Sequence, residues 1–311
     1  MACTHLCTKS LYFIEITGPT GIGKTELSLE LAKKYKGEII SSDSMQIYKK
    51  LNIGTAKIDL NKTSILHHMV DIIEPSDNFT VADFKNSAKK IITDINNRDG
   101  LPFLVGGTGL YINSLVYNLD FTETEPDYEY RDELREILEE EGSEFLYEKL
   151  QDQDKNMAEK IHKNNGQRII RALEILKNGN KKGDNFREEN NDYNLIYIGL
   201  NMDRAKLYQK INQRVDKMID LGLIDEVKNL LDEGLDKNSQ SLKAIGYKEV
   251  ISYLDGNIVF DEMVDLIKKN SRHYAKRQLT WFRRDKRIKW FDRESDTILS
   301  DIENYIDSRL V

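Results

Sequence analysis

The segment that most limits how this chain can fold is residues 18–25, which read GPTGIGKT. Two glycines five positions apart, followed by lysine and threonine, form the phosphate-binding loop pattern. Such a loop needs a strand before it and a helix after it, because its N–H groups converge on an oligophosphate at a helix N-terminus. Residues 11–17 (LYFIEIT) predict the strand, and Leu27 and Leu31 recur at helical spacing. The sequence therefore predicts a site for a di- or triphosphate.

The loop residues hold an oligophosphate in different ways. Backbone N–H groups bind phosphate oxygens, Lys24 adds a point charge, and the Thr25 hydroxyl can hold Mg²⁺, the expected cofactor. We assign diphosphate binding to Gly18, Pro19, Thr20, Gly21, Ile22, Gly23, Lys24 and Thr25. Cys3, His5 and Cys7 alternate near the N-terminus with no second cluster, which is a poor match to zinc-site spacing.

Strand and helix signals alternate along the chain. Short apolar runs predict strands at residues 38–42, 102–106 and 194–200, and a helix at 79–97 separates the first two. This alternation implies a mostly parallel sheet with helices on both faces. We therefore expect an α/β fold with a P-loop NTPase-like parallel sheet.

Two regions depart from this alternation. Residues 120–192 are charged and helical without a strand, which predicts a helical insertion domain. Beyond Asp203, a candidate N-cap, helical spacing continues to about residue 285. We expect a core of residues 1–119 and 193–311, with a helical C-terminal region, interrupted by the insertion.

Charge is segregated along the sequence. The formal charge is −7, which at first disfavours a nucleic-acid partner, but residues 123–144 hold 11 acidic and 2 basic residues, whereas residues 268–289 hold 10 basic and 1 acidic. The basic block also contains Tyr274, Trp281 and Phe282, and Trp290 directly follows it. Basic and aromatic side chains interleaved on a helix are typical of an RNA-facing surface, although a solvated helix would show the same charge.

Composition limits the remaining possibilities. Hydrophobic residues make up 39% of the chain, and no apolar run approaches the roughly 18 residues that cross a bilayer, so we expect no membrane association. Two cysteines cannot form a disulfide framework, and the first ten residues lack a secretory pattern. We expect a cytoplasmic monomer.

A carboxylate follows the second predicted strand and not the third. Nucleotide hydrolases hold Mg²⁺ with an aspartate at the end of a second hydrophobic strand, but residues 106–109 read GGTG, which disfavours hydrolysis. Asp43 instead lies where ligands of α/β sheets bind, at the carboxyl edge. It is a candidate general base, and the alternative is a cap of a following helix.

Beyond the phosphate loop, further blocks of the sequence are distinctive. They read SDSMQIY (42–48), IGTAK (53–57), HH (67–68) before DI (71–72), VGGTGLY (105–111), QRIIR (167–171) and KRQLTWFR (276–283). Together with GPTGIGKT, in this order, they resemble the bacterial tRNA dimethylallyltransferases. In that family a dimethylallyl group moves from dimethylallyl diphosphate to N6 of adenosine 37, beside the tRNA anticodon.

The resemblance implies a different use for the phosphate loop. The leaving group would be pyrophosphate, so the loop, Lys24 and Mg²⁺ would stabilise its developing charge. Asp43 matches the family's general base, and Thr108 matches a catalytic residue that touches the pyrophosphate or the nucleotide. Lys243 stands where the family usually has a diphosphate-binding arginine, which keeps the charge but loses the bidentate fork.

The resemblance also implies an RNA-binding surface for the tRNA anticodon stem-loop. The matched residues are Asp43, Ser44, Met45, Gln46, Gln167, Arg168, Ile169, Ile170 and Arg171, and we add Arg277 and Arg284 from the basic block as predicted RNA-binding residues. Reaching the amine of a stacked base requires extrusion, and the insertion is the expected clamp. The segment HKNN (162–165) departs from the family's usual His-Pro-Asn-Asp.

Two other classes of function use the same phosphate loop. A small-molecule or nucleoside kinase using ATP is disfavoured by residues 106–109 and by the basic helix. An RNA-binding GTPase-like switch would need guanine-reading motifs, which we do not find. His67 and His68 are adjacent, so their side chains diverge, and we interpret them as structural and not as a metal pair.

Overall fold

A parallel sheet organises the larger part of the chain. Within residues 11–119, 127–178 and 188–310, which a computed structural model describes, six strands pair in the order β3-β2-β4-β1-β5-β6. The strands are β1 (Leu11–Thr17), β2 (Glu38–Ser42), β3 (His67–His68), β4 (Pro102–Gly106), β5 (Tyr193–Asn201) and β6 (Lys289–Asp292). Every pairing is parallel. Cys3, His5 and Cys7 lie outside the described residues.

Helices cover both faces of the sheet. The helices of the described ranges are α1 (Lys24–Lys34), α2 (Val81–Asn97), α3 (Gly109–Val116), α4 (Tyr128–Glu140), α5 (Gly142–Gln153), α6 (Lys155–Glu159), α7 (Gly166–Lys177), α8 (Arg204–Asp220), α9 (Leu223–Asp232), α10 (Tyr247–Leu254), α11 (Phe260–Phe282) and α12 (Ile298–Asp307), of which α4 to α7 belong to a separate unit. Ile14 and Ile16 of β1 pack with α1, α8 and α12, whereas Phe13 packs with α2 and α3. The predicted α/β fold with a parallel sheet is confirmed.

Several predicted helix boundaries have clear physical causes. Thr80 caps α2 in a capping box with Asp83, so this helix begins two residues later than predicted. Asp203 caps α8 as predicted, accepting from the N–H groups of Ala205 at 2.9 Å and Lys206 at 3.1 Å.

The segment after β2 is fixed by a separate apolar cluster. Ile47, Tyr48 and Leu51 are fully buried and pack with Val215 of α8 and Leu223 of α9. Residues 44–47 form turns and Tyr48 forms a β-bridge with Ile73, so no helix follows Asp43 and its alternative role as a helix cap is wrong. This packing holds the segment at the carboxyl edge of the sheet.

The insertion is a compact unit of its own, spanning Asn118–Glu188 where 120–192 was predicted. Its helices α4, α5 and α7 enclose a core that includes Leu134, Leu146 and Leu173. Asn165 caps α7 by accepting from the Arg168 N–H at 3.3 Å. Because Asn caps about as well as Asp, the departure at this position leaves the helix start intact.

No helix in the described ranges is both long enough and apolar enough to cross a membrane.

Candidate active site

The phosphate loop joins β1 to α1 through strained backbone that requires glycine. Gly18, Gly21 and Gly23 have φ values of 152°, 78° and 92°, in the left-handed region that other residues rarely adopt. Gly23 directly precedes the first residue of α1. The strand, loop and helix therefore have the arrangement that an anion site at a helix N-terminus requires.

Lys24 is held inside this loop. Its Nζ donates to the carbonyls of Gly18 at 2.9 Å and Pro19 at 3.0 Å. Burial, and then repulsion from Arg214, lowers the pKa of Lys24 to about 8, against the opposing effects of Asp43 and Glu15. An anion beside Lys24 would favour its charged form.

Arg214 of α8 is a site residue that sequence reasoning missed. Its Nη2 donates to the Thr55 carbonyl at 3.4 Å, and it lines the phosphate-loop cleft. Burial lowers its pKa, and the charge of Asp43 opposes that shift. One feature of the sequence could have indicated this role. Arg214 lies three residues after the buried Ile211, so it places a cation beside the apolar face of α8.

Asp43 and Thr108 lie on two loops that are tied together. The Ser44 N–H donates to Thr108 Oγ1 at 3.0 Å, and the Thr108 N–H donates to the Ser42 carbonyl at 3.1 Å. Asp43 Oδ1 accepts from the Met45 N–H at 2.9 Å. Both predicted catalytic residues therefore lie at the carboxyl edge of neighbouring strands β2 and β4.

Two pockets meet at Asp43. The phosphate-loop cleft continues into apolar walls that include Ile39, Val70 and Val105. A second pocket is lined by Lys243 and by three of the predicted RNA-binding residues, Ser44, Met45 and Arg277. The two pockets share Thr20, Asp43, Arg214 and Tyr274. Lys243 thus lines the second pocket together with Arg277 and does not line the phosphate-loop cleft.

Thr20 and Gln46 have specific hydrogen-bond partners. The Thr20 N–H donates to Gln278 Oε1 at 2.8 Å, so this predicted diphosphate donor is used within the protein. Gln46 accepts from the Ser41 hydroxyl at 3.1 Å and lines the phosphate-loop cleft. Its amide nitrogen approaches the Thr55 carbonyl at 3.5 Å, the carbonyl that Arg214 also contacts.

The predicted RNA-binding residues of α7 separate into two sets. Gln167, Arg168 and Arg171 are exposed, whereas Ile169 and Ile170 are buried in the core of the insertion. Their side chains pack within the unit, so we revise their predicted role from RNA contact to support of α7. Apolar residues one helical turn from a buried leucine, here Leu173, belong to the core face.

One buried carboxylate orders the exposed side of α7. Glu174 is fully buried and accepts from Arg131 at 2.8 Å and from Arg171 at 2.6 Å. Although burial raises its pKa, these two hydrogen bonds hold the pKa of Glu174 below its usual value.

In the C-terminal region, Arg284 is exposed in the turn after α11, whereas Arg277 lines the second pocket.

The adjacent histidines have separate partners. His68 Nε2 lies 2.7 Å from Glu38, and His67 Nδ1 lies 2.8 Å from the Ile65 carbonyl. His67 also lines the phosphate-loop cleft, which the sequence did not reveal, and burial lowers its pKa. Over the described ranges, no three His, Cys, Asp or Glu side chains converge as a metal site.

Thr25 is the loop residue whose chemistry fits Mg²⁺. Thr25 directly follows Lys24 and lines the same cleft. Mg²⁺ in phosphate sites usually keeps several waters and takes few protein ligands, together with phosphate oxygens. A single hydroxyl is therefore compatible with Mg²⁺ when a diphosphate supplies further oxygens.

A phosphate loop after β1 and a carboxylate after β2, two strands away in the sheet, line one cleft, an arrangement that suits a P-loop transferase. A family model described as IPP transferase matches residues 46–285, and one described as isopentenyl transferase matches residues 10–68. The tRNA dimethylallyltransferase of Alkaliphilus metalliredigens is 48% identical over an alignment of 301 residues that covers 93% of this chain and 96% of that protein.

Solved structures give the same result. The tRNA isopentenylpyrophosphate transferase of Bacillus halodurans is 46% identical, with a TM-score of 0.73 and coverage of 96% of this chain and 97% of that one. A eukaryotic dimethylallyltransferase acting on tRNA is 29% identical, with a TM-score of 0.79 and coverage of 97% and 81%. The chain belongs to the IPP transferase family.

We expect Lys24 to lose its proton near neutral pH, unlike an ordinary lysine. After reductive methylation with ¹³C-formaldehyde, its methyl resonance should titrate with a midpoint of about 8, and Lys24→Arg assigns the resonance. Pyrophosphate should raise the midpoint, because an anion favours the ammonium form. A midpoint near the ordinary value of about 10.4 would contradict the described environment.

Proposed function

We propose that this protein transfers a dimethylallyl group from dimethylallyl diphosphate to N6 of adenosine 37 in tRNA and releases pyrophosphate. The observation that carries the proposal is the position of Asp43, which lines both the phosphate-loop cleft and the second pocket. A carboxylate at this junction can act on one substrate while the other is held by the loop. Family membership, with relatives named for action on tRNA, supports the same reaction.

The phosphate-loop cleft suits the diphosphate and its prenyl chain. Lys24 and Arg214 place two cations beside the loop, where they would stabilise the charge that develops as the carbon–oxygen bond breaks. Ile39, Val70 and Val105 offer apolar contacts to a five-carbon chain. We propose that Thr25 binds Mg²⁺ with the phosphate oxygens, and the ion would add charge neutralisation at the leaving group.

Asp43 is suited to take the proton of the adenine amine. The amine is a weak nucleophile, because its lone pair is delocalised into the ring, so proton removal assists formation of the carbon–nitrogen bond. The Met45 N–H holds Asp43 Oδ1 at 2.9 Å and so fixes the carboxylate. Thr108 Oγ1 accepts from the Ser44 N–H at 3.0 Å, and its hydroxyl donates to Ser44 Oγ over a long 3.4 Å, a contact that a substrate oxygen could replace.

The second pocket suits an extruded adenosine. Ser44, Met45 and Arg277 line it, and Gln46 can hydrogen-bond an adenine edge from the neighbouring cleft. The exposed Gln167, Arg168 and Arg171 of α7, with Arg284, are the proposed contacts to the anticodon stem. Cytoplasmic localisation and a monomeric state remain predictions. Membership in the IPP transferase family disfavours the kinase alternative.

The reaction can be tested directly. Incubation with labelled dimethylallyl diphosphate, Mg²⁺ and unmodified tRNA should place label on N6 of adenosine 37, identified by nucleoside digestion. The matched control is the same tRNA with guanosine at position 37, which should stay unlabelled. Turnover of labelled ATP in a parallel reaction, without prenyl transfer, would contradict the proposal and support a kinase.

Replacement of the proposed base separates chemistry from binding. Asp43→Asn can still accept from the Met45 N–H but cannot take a proton, so single-turnover rates should fall by about 10²- to 10⁴-fold. Both substrates should still bind. Asp220→Asn, at an exposed position at the end of α8, is the control. A normal rate in Asp43→Asn would mean that the base lies elsewhere.

Charge reversal tests the RNA-facing basic residues. Arg277→Glu and Arg284→Glu should each weaken tRNA binding and reduce the slope of log affinity against log salt by about one unit. Affinity for dimethylallyl diphosphate should not change. Lys33→Glu, exposed on α1, makes the same charge change away from the proposed RNA surface. An unchanged slope in the arginine variants would show a merely solvated surface.

A further inference from the structure

Helix α11 presents neighbouring residues to different parts of the site. Arg277 is exposed and lines the second pocket, whereas Gln278 is 6% exposed and lines the phosphate-loop cleft. Tyr274, one turn earlier, lines both pockets. Because a helix turn is rigid, a displacement of Arg277 is also a displacement of Gln278.

Gln278 bridges the two loops of the phosphate-loop cleft. Its Oε1 accepts from the Thr20 N–H at 2.8 Å, and its Nε2 donates to the Gly107 carbonyl at 2.9 Å. Both distances are those of good hydrogen bonds. Thr20 belongs to the phosphate loop, and Gly107 directly precedes Thr108. One amide therefore sets the phosphate loop relative to the loop that carries Thr108, and a side-chain amide both accepts and donates.

The amide has little room to move. A Cβ atom added at Gly107 would lie 2.2 Å from Gln278 Nε2, and one added at Gly109 would lie 2.4 Å from the Trp281 ring. Gly107 does not have a left-handed φ, so its glycine is explained by this close approach and not by backbone strain. The loop after β4 can therefore pack this closely against α11 only because these two positions lack side chains.

Tyr274 interacts with the same groups. It lies one helical turn before Gln278 and lines both pockets. Burial, and then the charge of Asp43, raises the pKa of Tyr274 to about 12, and the Thr108 and Gln278 side chains oppose that shift. The electrostatic environment of Tyr274 therefore includes both the loop of Thr108 and Gln278.

We propose that Gln278 is a positioning residue that couples the two substrate sites. RNA held by Arg277 restrains α11, and Gln278 transmits that restraint to Thr20 and Gly107, which shape the diphosphate site. Each substrate then binds more tightly when the other is present, since coupling between two sites is reciprocal. This inference rests on the proposed function for the identity of the two ligands.

Coupling is measured with an RNA that cannot react. Dimethylallyl diphosphate is titrated calorimetrically with and without a saturating anticodon stem-loop that carries purine riboside, which lacks the amine, at position 37. The RNA should increase the affinity of the unaltered protein at least about fivefold, within the usual range of such coupling. In Gln278→Met, which keeps the length but loses both hydrogen bonds, the increase should be less than twofold. Gln213→Met, exposed on α8, should behave like the unaltered protein.

Gly107→Ala tests the same contact from the other side. The added methyl group would displace the Gln278 amide, so this variant should also lose coupling. In a Gln278→Ala background the methyl group meets no amide, and Gly107→Ala should have no further effect on coupling. Additive losses, or coupling that persists in Gln278→Met, would overturn the proposal. Variants that have lower melting temperatures but unchanged coupling would also overturn the proposal.

The outcomes distinguish this inference from the proposed function. Prenyl transfer without coupling in the unaltered protein overturns the inference and leaves the function intact. If no prenyl transfer occurs, the function fails, and coupling is then measured with pyrophosphate as the titrant. Should Gln278→Met fail to fold, Gln278→Ala, which also loses both hydrogen bonds and adds no charge, provides the same comparison.

Discussion

The presence of two partly buried cations, Lys24 and Arg214, in one cleft is the constraint on which the site depends. Burial first, and repulsion from Arg214 second, lowers the pKa of Lys24, and burial also lowers the pKa of Arg214. A polyanion bound beside both cations would offset these costs. The charge of Asp43 opposes both pKa shifts. The fold holds both cations despite the cost, because α1 and α8 are anchored in the same hydrophobic cluster through Leu31 and Ile211.

Sequence patterns predicted the strands whose formation depends mainly on residues nearby in the chain. The strands at 11–17, 38–42 and 102–106 match β1, β2 and β4, since each is a short apolar run bounded by turn residues. β3 and β6 were not predicted. They are two and four residues long, carry histidine or charged residues, and form at the sheet edges through pairing with β2 and β5. Such strands are defined by their neighbours in space, which a sequence window does not contain.

The residues of the candidate site also fall into those that the sequence predicted and those that it did not. The phosphate loop, Asp43 and Thr108 follow strands directly, so their common edge was predictable from the parallel sheet. The roles of Arg214 and Gln278 depend on where long helices return to that edge. Thr20 and Gln278 are 258 residues apart in the chain, and no periodicity connects them. Ile169 and Ile170 show the opposite error, because matching a motif residue by residue did not distinguish the exposed side of α7 from its buried side.

The place of β1 in the sheet has a consequence for synthesis of the protein on the ribosome. β1 pairs with β4 on one side and with β5 on the other, and β5 follows the insertion in sequence. The first strand therefore leaves the exit tunnel long before its second partner, and the anion site is complete only after α11 has emerged. The insertion, which has its own core, has all its partners within one continuous segment. Non-local pairing of this kind slows folding and leaves apolar strand edges exposed meanwhile. The nascent core is thus expected to need protection by chaperones until its last third has been translated.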